Sequence, residues 1–363
     1  MQAAAIVSQR LSVSVVITAY NLENFIGPAV RSALSQTRPP DEVIVVNDCS
    51  TDRTGRALTE FGNSIRVINQ PTNQGALRAA LRGLTESSGQ VVSFLDGDDL
   101  WHPQKLERCV GLMDADPSLV LVSHQHTRID AAGRDLGIRD ETHQNIDAII
   151  AKTNREEQRS ELYKQSILEK RGYWLGSAYS IRRTALDLTA FQGWVDSLPH
   201  PEDVYLDLVL APWIVLSNPD LAVGLVDAPL FDYRIHANNS CNDYRDVERA
   251  LRSIRRAYNT TLAANDLNRR FAHLEIARNG ALAHDRAIAH YELLLDLYGN
   301  RRLRSIRRLT ELLASRSLTV RQTLTELVRV TAVVAGGPEL LLRLKSRVVN
   351  ARSRLNQLRQ LMP

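Results

Sequence analysis

The sequence of 363 residues contains little cysteine and no long hydrophobic run. Its three cysteines, Cys49, Cys109 and Cys241, show neither CxxC nor zinc-finger spacing, which favours free thiols in a reducing compartment over a disulfide framework. No stretch reaches the roughly 18 uninterrupted apolar residues that a membrane-spanning helix needs. The first residues lack a signal-peptide pattern, because Arg10 precedes an apolar run typical of a core strand. We therefore expect a cytoplasmic protein.

Two common nucleotide-binding signatures are also absent. The first strand-like run is followed by "TAYNLEN", which contains no GxGxxG, so a dinucleotide-dependent dehydrogenase is excluded. The sequence contains no GxxxxGK[ST] either, which excludes a P-loop enzyme. Aromatic residues make up 6% of the chain, and no basic stretch interleaved with aromatics is evident, so nucleic-acid binding is the weaker, non-enzymatic alternative.

Charge is distributed unevenly along the chain. The formal net charge is +4, yet the segment from Arg245 to the end holds 23 Lys and Arg against 10 Asp and Glu. Its net charge is +13, whereas that of the remaining chain is −9. This difference predicts an acidic domain over 1–240 and a basic region over 241–363, with different partners.

The first hundred residues alternate between apolar runs and segments with helical spacing. This alternation predicts βαβ units and a mainly parallel sheet flanked by helices, an α/β fold. The predicted strands are 13–20, 42–48, 65–70 and 91–95, followed by 118–131, 173–183 and 230–240. The predicted helices are 22–36, 51–61, 73–86, 102–115 and one around 202–211. The polar segment 131–160 is predicted to be a mobile loop.

After residue 245 the sequence becomes helical and rich in arginine. Leu303, Ile306, Leu309 and Leu313 form an apolar stripe, Gly336-Gly337-Pro338 interrupts the pattern, and a 4-3 apolar repeat typical of a coiled coil follows over 341–362. Three interpretations stay open: packing on the first domain, self-association as a homodimer, and contact with the anionic inner face of a membrane. Packing and self-association are favoured over the membrane.

Polar residues follow the first, second and fourth predicted strands. Open α/β sheets bind ligands outside the carboxyl ends of their strands, so these residues are expected to share one crevice. Three carboxylates lie within four positions, where like charges repel, and Mg²⁺ or Mn²⁺ would offset that repulsion. A solvated acidic turn is the simpler alternative. The residues are Thr18, Tyr20 and Asn21 after the first strand, Asp48 after the second, and Asp96, Gly97, Asp98 and Asp99 after the fourth.

Four motifs in this order, "VVITAYN", "IVVNDCSTDRT", "NQG" and "LDGDDLWHPQKLE", resemble those of the family 2 glycosyltransferases with the GT-A fold. The resemblance covers roughly residues 12–240. It implies an enzyme that moves a sugar, with inversion, from a nucleoside diphosphate to a hydroxyl of a glycan or polyprenyl-linked acceptor. Such enzymes commonly serve cell-surface polysaccharide synthesis. A nucleotide-sugar-binding scaffold without turnover is the closest alternative.

The resemblance also assigns expected roles at the acidic motif. Asp98 is expected to carry most of the coordination of Mn²⁺ or Mg²⁺, with Asp96 facing the ribose or donor sugar and sharing the metal. Asp99 is expected to be structural. His236, in a Tyr-Arg-x-His segment, is expected to complete the metal shell or touch the diphosphate, against the alternative of a structural histidine. Arg234 is expected to face the diphosphate or pair with an acid. The other histidines, including His126, show no convincing ligand spacing.

The base of the donor is expected to meet the first two strand ends. Asp48 can accept the imide N–H of uracil or thymine, and Tyr20 can stack on the ring, which favours a UDP- or dTDP-linked sugar. The alternatives are a helix cap for Asp48 and a core-edge aromatic for Tyr20. Cys49 replaces a glycine common in the family, which argues against a strict positive-φ requirement there.

The remaining site residues come from two later motifs. Asn73 and Gly75 match the family's Asn-x-Gly, but the arginine that often follows is missing, so Arg78 or Arg82 is expected to substitute. Glu202 and Asp203 resemble the family's Glu-Asp motif at the start of a helix, which implies Asp203 as the catalytic base and Glu202 as an orienting residue. The alternative is a pair of acids favoured there by the helix dipole.

Overall fold

The computed structural model describes residues 10–169, 176–237, 239, 245–314 and 320–361 of the chain. Eight strands form one sheet in the order β3-β2-β1-β4-β7-β6-β8-β5. Four of the seven neighbouring pairs are parallel, so the predicted mixed, mainly parallel sheet is confirmed. The strands are β1 Val13–Ala19, β2 Glu42–Asn47, β3 Arg66–Asn69, β4 Val91–Asp96, β5 Leu100–Trp101, β6 Leu119–Asp130, β7 Ser180–Arg182 and β8 Ala222–Ile235.

Twelve helices are found within the described residues. The first eight are α1 Ile26–Leu34, α2 Thr54–Thr59, α3 Ala76–Glu86, α4 Lys105–Ala115, α5 Glu141–Lys152, α6 Glu156–Leu168, α7 Leu188–Ser197 and α8 Asp207–Ser217. The last four are α9 Val247–Arg270, α10 Glu275–Tyr298, α11 Arg302–Ala314 and α12 Val320–Leu361. None of them combines the length and the hydrophobicity that a membrane crossing requires.

The central strands are continuous apolar runs because helices cover both faces of the sheet. Val16 and Phe94 pack on one side in a cluster that includes residues of α3, whereas Val15 and Ile17 pack on the other side with α1 and α4. The register of β1 and β4 pairs Thr18 with Asp96. The polar ends of these strands therefore lie at the same edge of the sheet.

The chain divides into two compact units. The first comprises Met1–His236 and Ala263–Ala283, and the second comprises Ala237–Leu262 and His284–Pro363. Residues 263–283 of the helical region thus group with the sheet by their contacts. The division into functional domains at residue 240 stays a prediction.

The segment 131–160 is not the loop that its polarity predicted, because it contains α5 and the start of α6. Asp140 begins α5 with a capping box, in which its side chain accepts from the backbone of His143 and the side chain of His143 faces the backbone of Asp140. Ile146 and Ile149 bury the inner side of α5. Ile146, Ile149 and Ile150 do have the i, i+3, i+4 spacing of a helix, but the prediction gave more weight to the polarity of the surrounding segment.

Two other elements differ from prediction in their bounds. β8 begins at Ala222, eight residues before the predicted strand, and α8 begins at Asp207. Of the strand predicted at 173–183, residues 173–175 lie outside the described part of the chain. The rest forms a short 3-10 turn, Gly176–Ala178, followed by β7.

The second unit has its own apolar core. Leu309 of the predicted stripe is buried there, together with Leu312, whereas Leu303, Ile306 and Leu313 are exposed. The predicted interruption of α12 is present, because Gly337 has φ +71° inside the helix. Leu341, the first residue of the predicted repeat, is buried in this same core, and the side chains of that repeat beyond 345 lie outside the described residues.

Candidate active site

The end of β4 is fixed directly to the end of β1. The hydroxyl of Thr18 donates to Oδ1 of Asp96 over 3.3 Å, and the backbone N–H of Gly97 donates to the carbonyl of Thr18 over 2.9 Å. A Cβ on Gly97 would lie only 2.7 Å from that carbonyl oxygen. The absence of a side chain at Gly97 therefore allows the acidic turn to approach β1.

Asp98 is held by the segment at the end of β8. Oδ2 of Asp98 lies 3.0 Å from Nε2 of His236, whose nearly buried ring packs on Phe25 with centroids 4.5 Å apart. Arg234 donates from Nε to the carbonyl of Asp98 over 2.8 Å and from a terminal nitrogen to the carbonyl of Ala131 over 3.1 Å. Through these contacts Arg234 stabilises the acidic turn. Neither of its expected roles, facing the diphosphate or pairing with an acid, included this one.

Asp99 is structural, as expected. It is 1% exposed, and its two oxygens accept from the backbone N–H of Arg234 at 3.0 Å and from the hydroxyl of Ser177 at 2.7 Å. Burial, followed by the charges of Asp98 and Asp96, raises the pKa of Asp99 well above its ordinary value. Its buried side chain thus stabilises the acidic turn, and the carboxylates that a ligand could reach are those of Asp96 and Asp98.

Asp96 lies among several acids. Its residue surface reaches solvent, yet the surrounding protein is dense enough that burial, with the charges of Asp98 and Asp207, raises the pKa of its carboxyl to about 7. The excess negative charge of this acidic corner, Asp96 and Asp98, would be relieved by a divalent cation. Carboxylates and an imidazole are ligand types that suit Mg²⁺ or Mn²⁺, and Asp98 and His236 are in contact. As placed, however, Asp96, Asp98 and His236 do not bring three ligand atoms within 4.8 Å of one another, so the ligand types fit the implied metal but its binding would require Asp96 to move.

Asp48 fixes the loop that carries the Asn-x-Gly motif. Its buried Oδ1 accepts from the side chain of Gln70 at 2.7 Å and from the N–H of Gln74 at 2.8 Å, and its Oδ2 accepts from the N–H of Gly75 at 2.8 Å. Burial raises the pKa of Asp48 although these hydrogen bonds oppose the shift. A carboxylate has about four acceptor positions, so one remains for a ligand. Asp48 does not cap α2, which begins only at Thr54, but its bonds to Gln74 and Gly75 hold the N–H groups directly before α3, so the helix-cap alternative stays open.

Gly75 packs directly against the Glu-Asp motif. Its φ is +85°, and a Cβ at this position would lie 2.4 Å from the carbonyl oxygen of Glu202. Oδ1 of Asn73 also accepts from the N–H of Gly75, at 3.1 Å. Asp48, Gly75 and Glu202 therefore form a continuous chain of contacts from the end of β2 to the Glu-Asp motif.

Glu202 and Asp203 do not begin a helix, contrary to the sequence interpretation. They lie in a 3-10 turn, Pro201–Asp203, and α8 starts four residues after Asp203. A helix-dipole explanation for these acids is thereby weakened. Glu202 is exposed, with an oxygen 3.3 Å from Nδ1 of His200, and Asp203 is half-buried.

The loops after β1 and β2 are joined by Asn21. This residue has φ +53°, and its Oδ1 accepts from the N–H of Thr51 over 2.8 Å. Tyr20 is 45% exposed, so the core-edge alternative is wrong and its ring is accessible to a ligand. Cys49 has φ +60°, which corrects the inference from its side chain: the position does require the left-handed conformation that favours glycine.

Arg78 and Arg82 both face acids in the structure. A terminal nitrogen of Arg78 lies 2.8 Å from Asp196 of α7, and Arg82 lies 2.8 Å from Glu86, one turn further along α3. A phosphate contact by either arginine stays a prediction, since it would require the ion pair to open.

Two residues of the site carry no recognisable motif. Ser177 accepts from the N–H of Asp96 at 3.0 Å and donates to Asp99, and its carbonyl accepts from the indole of Trp101 at 2.8 Å. Asp207 adds its charge to the field at Asp96. Both come from segments distant in sequence, and no spacing or composition signal identifies them.

Comparisons with known proteins show which family and which fold the chain resembles. The family model described as Glycosyl transferase family 2 matches residues 14–182. The putative teichuronic acid biosynthesis glycosyltransferase TuaG of Bacillus subtilis is 38% identical over 104 residues, 28% of this chain and 41% of that protein. The UDP-Glc:alpha-D-GlcNAc-diphosphoundecaprenol beta-1,3-glucosyltransferase WfgD of Escherichia coli is 35% identical over 102 residues, 28% of this chain and 40% of that protein.

These alignments span about two fifths of the length of each relative. Among solved structures, S. aureus TarS 1-349 in complex with UDP-GlcNAc has a TM-score of 0.50 at 17% identity, covering 85% of this chain and 93% of that chain. This similarity confirms the predicted GT-A fold.

Proposed function

Because the chain belongs to the family 2 glycosyltransferases, we propose that it transfers a sugar with inversion from a nucleoside diphosphate to an acceptor hydroxyl. The observation that carries the proposal is the contact between the Asn-x-Gly loop and the Glu-Asp turn at Gly75 and Glu202. This contact, with the bonds of Asp48, links a candidate base at Asp203 to the strand ends that carry the acidic corner.

Asp203 is the proposed catalytic base. Its carboxylate would take the proton from the acceptor hydroxyl while that oxygen attacks the anomeric carbon from the face opposite the diphosphate. Its half-buried position in a short turn leaves it accessible to an acceptor. Glu202, which is exposed on the same turn, would orient the acceptor.

Asp98, Asp96 and His236 are the residues that would hold Mn²⁺ or Mg²⁺. When bound, such an ion neutralises the charge that develops on the leaving diphosphate. The chain's own contribution is to fix these ligands: Thr18 restrains Asp96, and Arg234 restrains the backbone of Asp98.

The donor is proposed to be a UDP- or dTDP-linked sugar. The exposed ring of Tyr20 would stack on the base, and Asp48 would use its remaining acceptor position for the imide N–H. Thr18, Asn21, Asn73, Gly75, Arg78 and Gly97 would complete the donor site. The name of WfgD specifies UDP-Glc and the TarS structure contains UDP-GlcNAc, which supports a uridine nucleotide for this chain as well.

The acceptor is proposed to be a growing glycan or polyprenyl-linked saccharide of a cell-surface polysaccharide. The names of TuaG and WfgD, which specify teichuronic acid biosynthesis and a diphosphoundecaprenol-linked acceptor, support this class.

α11 supports peripheral contact with the inner membrane face, because Leu303 is 84% exposed beside Arg302 and Arg304. A homodimer through the C-terminal helices remains the alternative use of these exposed residues.

Release of UDP and formation of a glycosylated product, measured with Mn²⁺, test the proposal. Asp98→Ala should abolish metal-dependent donor binding, whereas Asp203→Asn should bind the donor normally and transfer little. A wild-type protein that binds UDP-sugars tightly but releases no UDP with any glycan or lipid-linked acceptor would instead be the non-catalytic scaffold.

A further inference from the structure

A second group of potential ligands lies away from the acidic corner, where β6 faces the start of α5. Among the His, Cys, Asp and Glu side chains of the described residues, one group brings three ligand atoms within 4.8 Å of one another: His126, Asp140 and His143. Oδ2 of Asp140 lies 3.4 Å from Nε2 of His126, and Oδ1 lies 2.8 Å from Nδ1 of His143. The two imidazole rings are 4.4 Å apart.

The hydrogen bonds of His143 determine which of its nitrogens can bind a ligand. Its Nε2 lies 2.7 Å from the carbonyl oxygen of His126, and because a carbonyl only accepts, this nitrogen carries a proton. In the neutral form of the ring, Nδ1 would then present a lone pair toward Asp140. A lone pair and a carboxylate oxygen 2.8 Å apart repel each other unless a proton or a metal ion lies between them. The backbone N–H of Asp140, at 3.1 Å, competes for the same nitrogen.

His126 supplies an independent observation. The residue is 3% exposed, and its buried Nε2, directed toward Asp140, has no hydrogen-bond partner among the described residues. A buried polar atom without a partner destabilises the folded state. A metal ion between these groups would satisfy this nitrogen. The bond from His143 to a backbone carbonyl is also the usual way in which proteins orient a metal-binding histidine.

We propose that His126, Asp140 and His143 bind a divalent transition metal ion, separately from the acidic corner. Two imidazole nitrogens and one carboxylate oxygen favour zinc over magnesium or calcium, and three protein ligands leave a position for water. The ion would tie the first turn of α5 to β6, two elements that the sequence joins by ten residues. Its effect would be stabilisation of α5, and the proposal does not rest on the transfer reaction.

The ion pair between Arg128 and Asp140 provides a test of the proposed metal site. The guanidinium of Arg128 lies 2.5 Å from Oδ2 of Asp140 and over the ring of Tyr233, so it competes with a metal ion for the carboxylate. Arg128→Gln should therefore strengthen metal binding. If the cluster were only a network of ion pairs, the same variant would weaken the structure and leave metal binding unchanged.

The experiment uses the full chain with Asp98→Ala in every variant, so that the acidic corner does not contribute. After chelation, the protein is titrated with Co²⁺ and followed by visible absorption, which reports the coordination geometry. We expect one Co²⁺ per chain, displaceable by Zn²⁺, and an affinity at least about tenfold lower in His126→Asn and His143→Asn. His102→Asn, which removes a histidine paired with Asp232 outside the cluster, is the matched control and should bind as the parent does.

Two further variants keep the result decisive if a histidine variant folds poorly by circular dichroism. His126→Cys should retain Co²⁺ and gain a thiolate charge-transfer band, a new signal that misfolding cannot produce. Arg128→Gln should bind more tightly than the parent. The proposal is overturned if the parent shows no Co²⁺ spectrum, or if the folded histidine variants keep its affinity, or if neither gain of signal appears.

Discussion

Gly75→Ala is the substitution for which the structure predicts the clearest effect. Gly75 has φ 85° and ψ 162°, a conformation that is essentially restricted to glycine, so an alanine there costs about 1–3 kcal/mol. The same Cβ would lie 2.4 Å from the carbonyl oxygen of Glu202 and 2.8 Å from its Cα, so two backbone segments must separate. Forced repacking of this kind typically costs about 1–3 kcal/mol. The sum, about 2–6 kcal/mol, is large for one methyl group.

Gly62→Ala is the matched control. Gly62 also has a positive φ, +49°, but no described atom lies within 4 Å of its Cβ position, so only the backbone term of about 1–2 kcal/mol applies. Urea unfolding followed by tryptophan fluorescence suits both variants, because Trp101, Trp194 and Trp213 all lie in the first unit.

The two variants should also differ in transfer rate. A displacement near 1 Å at a catalytic group can cost about 100-fold in rate, so Gly75→Ala should lose most of its activity while Gly62→Ala keeps it. Equal shifts of the urea midpoint in the two variants would refute the close backbone approach. Unequal midpoints with equal transfer rates would leave the geometry intact and refute its importance for catalysis.

Three further predictions concern other parts of the chain. Burial lowers the pKa of Lys105 from 10.5 to about 7, so between pH 7 and pH 10.5 the unfolded chain binds one more proton than the folded chain. The free energy of unfolding should therefore rise with pH across that window. Lys105→Met should flatten this rise, and parallel pH profiles of the variant and the wild type would contradict the prediction. Ser177→Ala should lower transfer by about tenfold with a smaller effect on stability, because the hydroxyl positions Asp96 and Asp99; unchanged kinetics would contradict it. Leu303→Glu should reduce sedimentation with anionic vesicles while leaving UDP binding intact, and equal sedimentation would remove the proposed membrane contact.

The sheet and the acidic corner could be predicted because their signals are local. Continuous apolar runs such as that of β4 are typical of buried parallel strands. A polar residue directly after such a strand lies at the edge of the sheet, where ligands bind in this class of fold. The pairing of Thr18 with Asp96 depends on the register of β1 and β4, which only the structure gives.

Three features were not predicted, each for its own reason. α5 is stabilised by its capping box and by two buried isoleucines, whose helical spacing is short and lies within an otherwise polar segment. Cys49 adopts a positive φ directly after a tight turn in which its backbone N–H donates to the carbonyl of Asn47, a conformation that its side chain does not reveal. His126 and Asp140 are fourteen positions apart, a separation that matches no ligand spacing.

The most direct test compares Asp203→Asn with wild type in two assays on the same protein: binding of UDP with Mn²⁺ by calorimetry, and formation of glycosylated product. Loss of a general base typically lowers the rate about 10²–10⁴-fold, so the variant should bind UDP as wild type does and form product at that reduced rate. Asp220→Asn, in an exposed turn before β8, should match wild type in both assays. Product formation by Asp203→Asn at the wild-type rate would contradict the assignment of the base and, with it, the proposed role of the Glu-Asp turn.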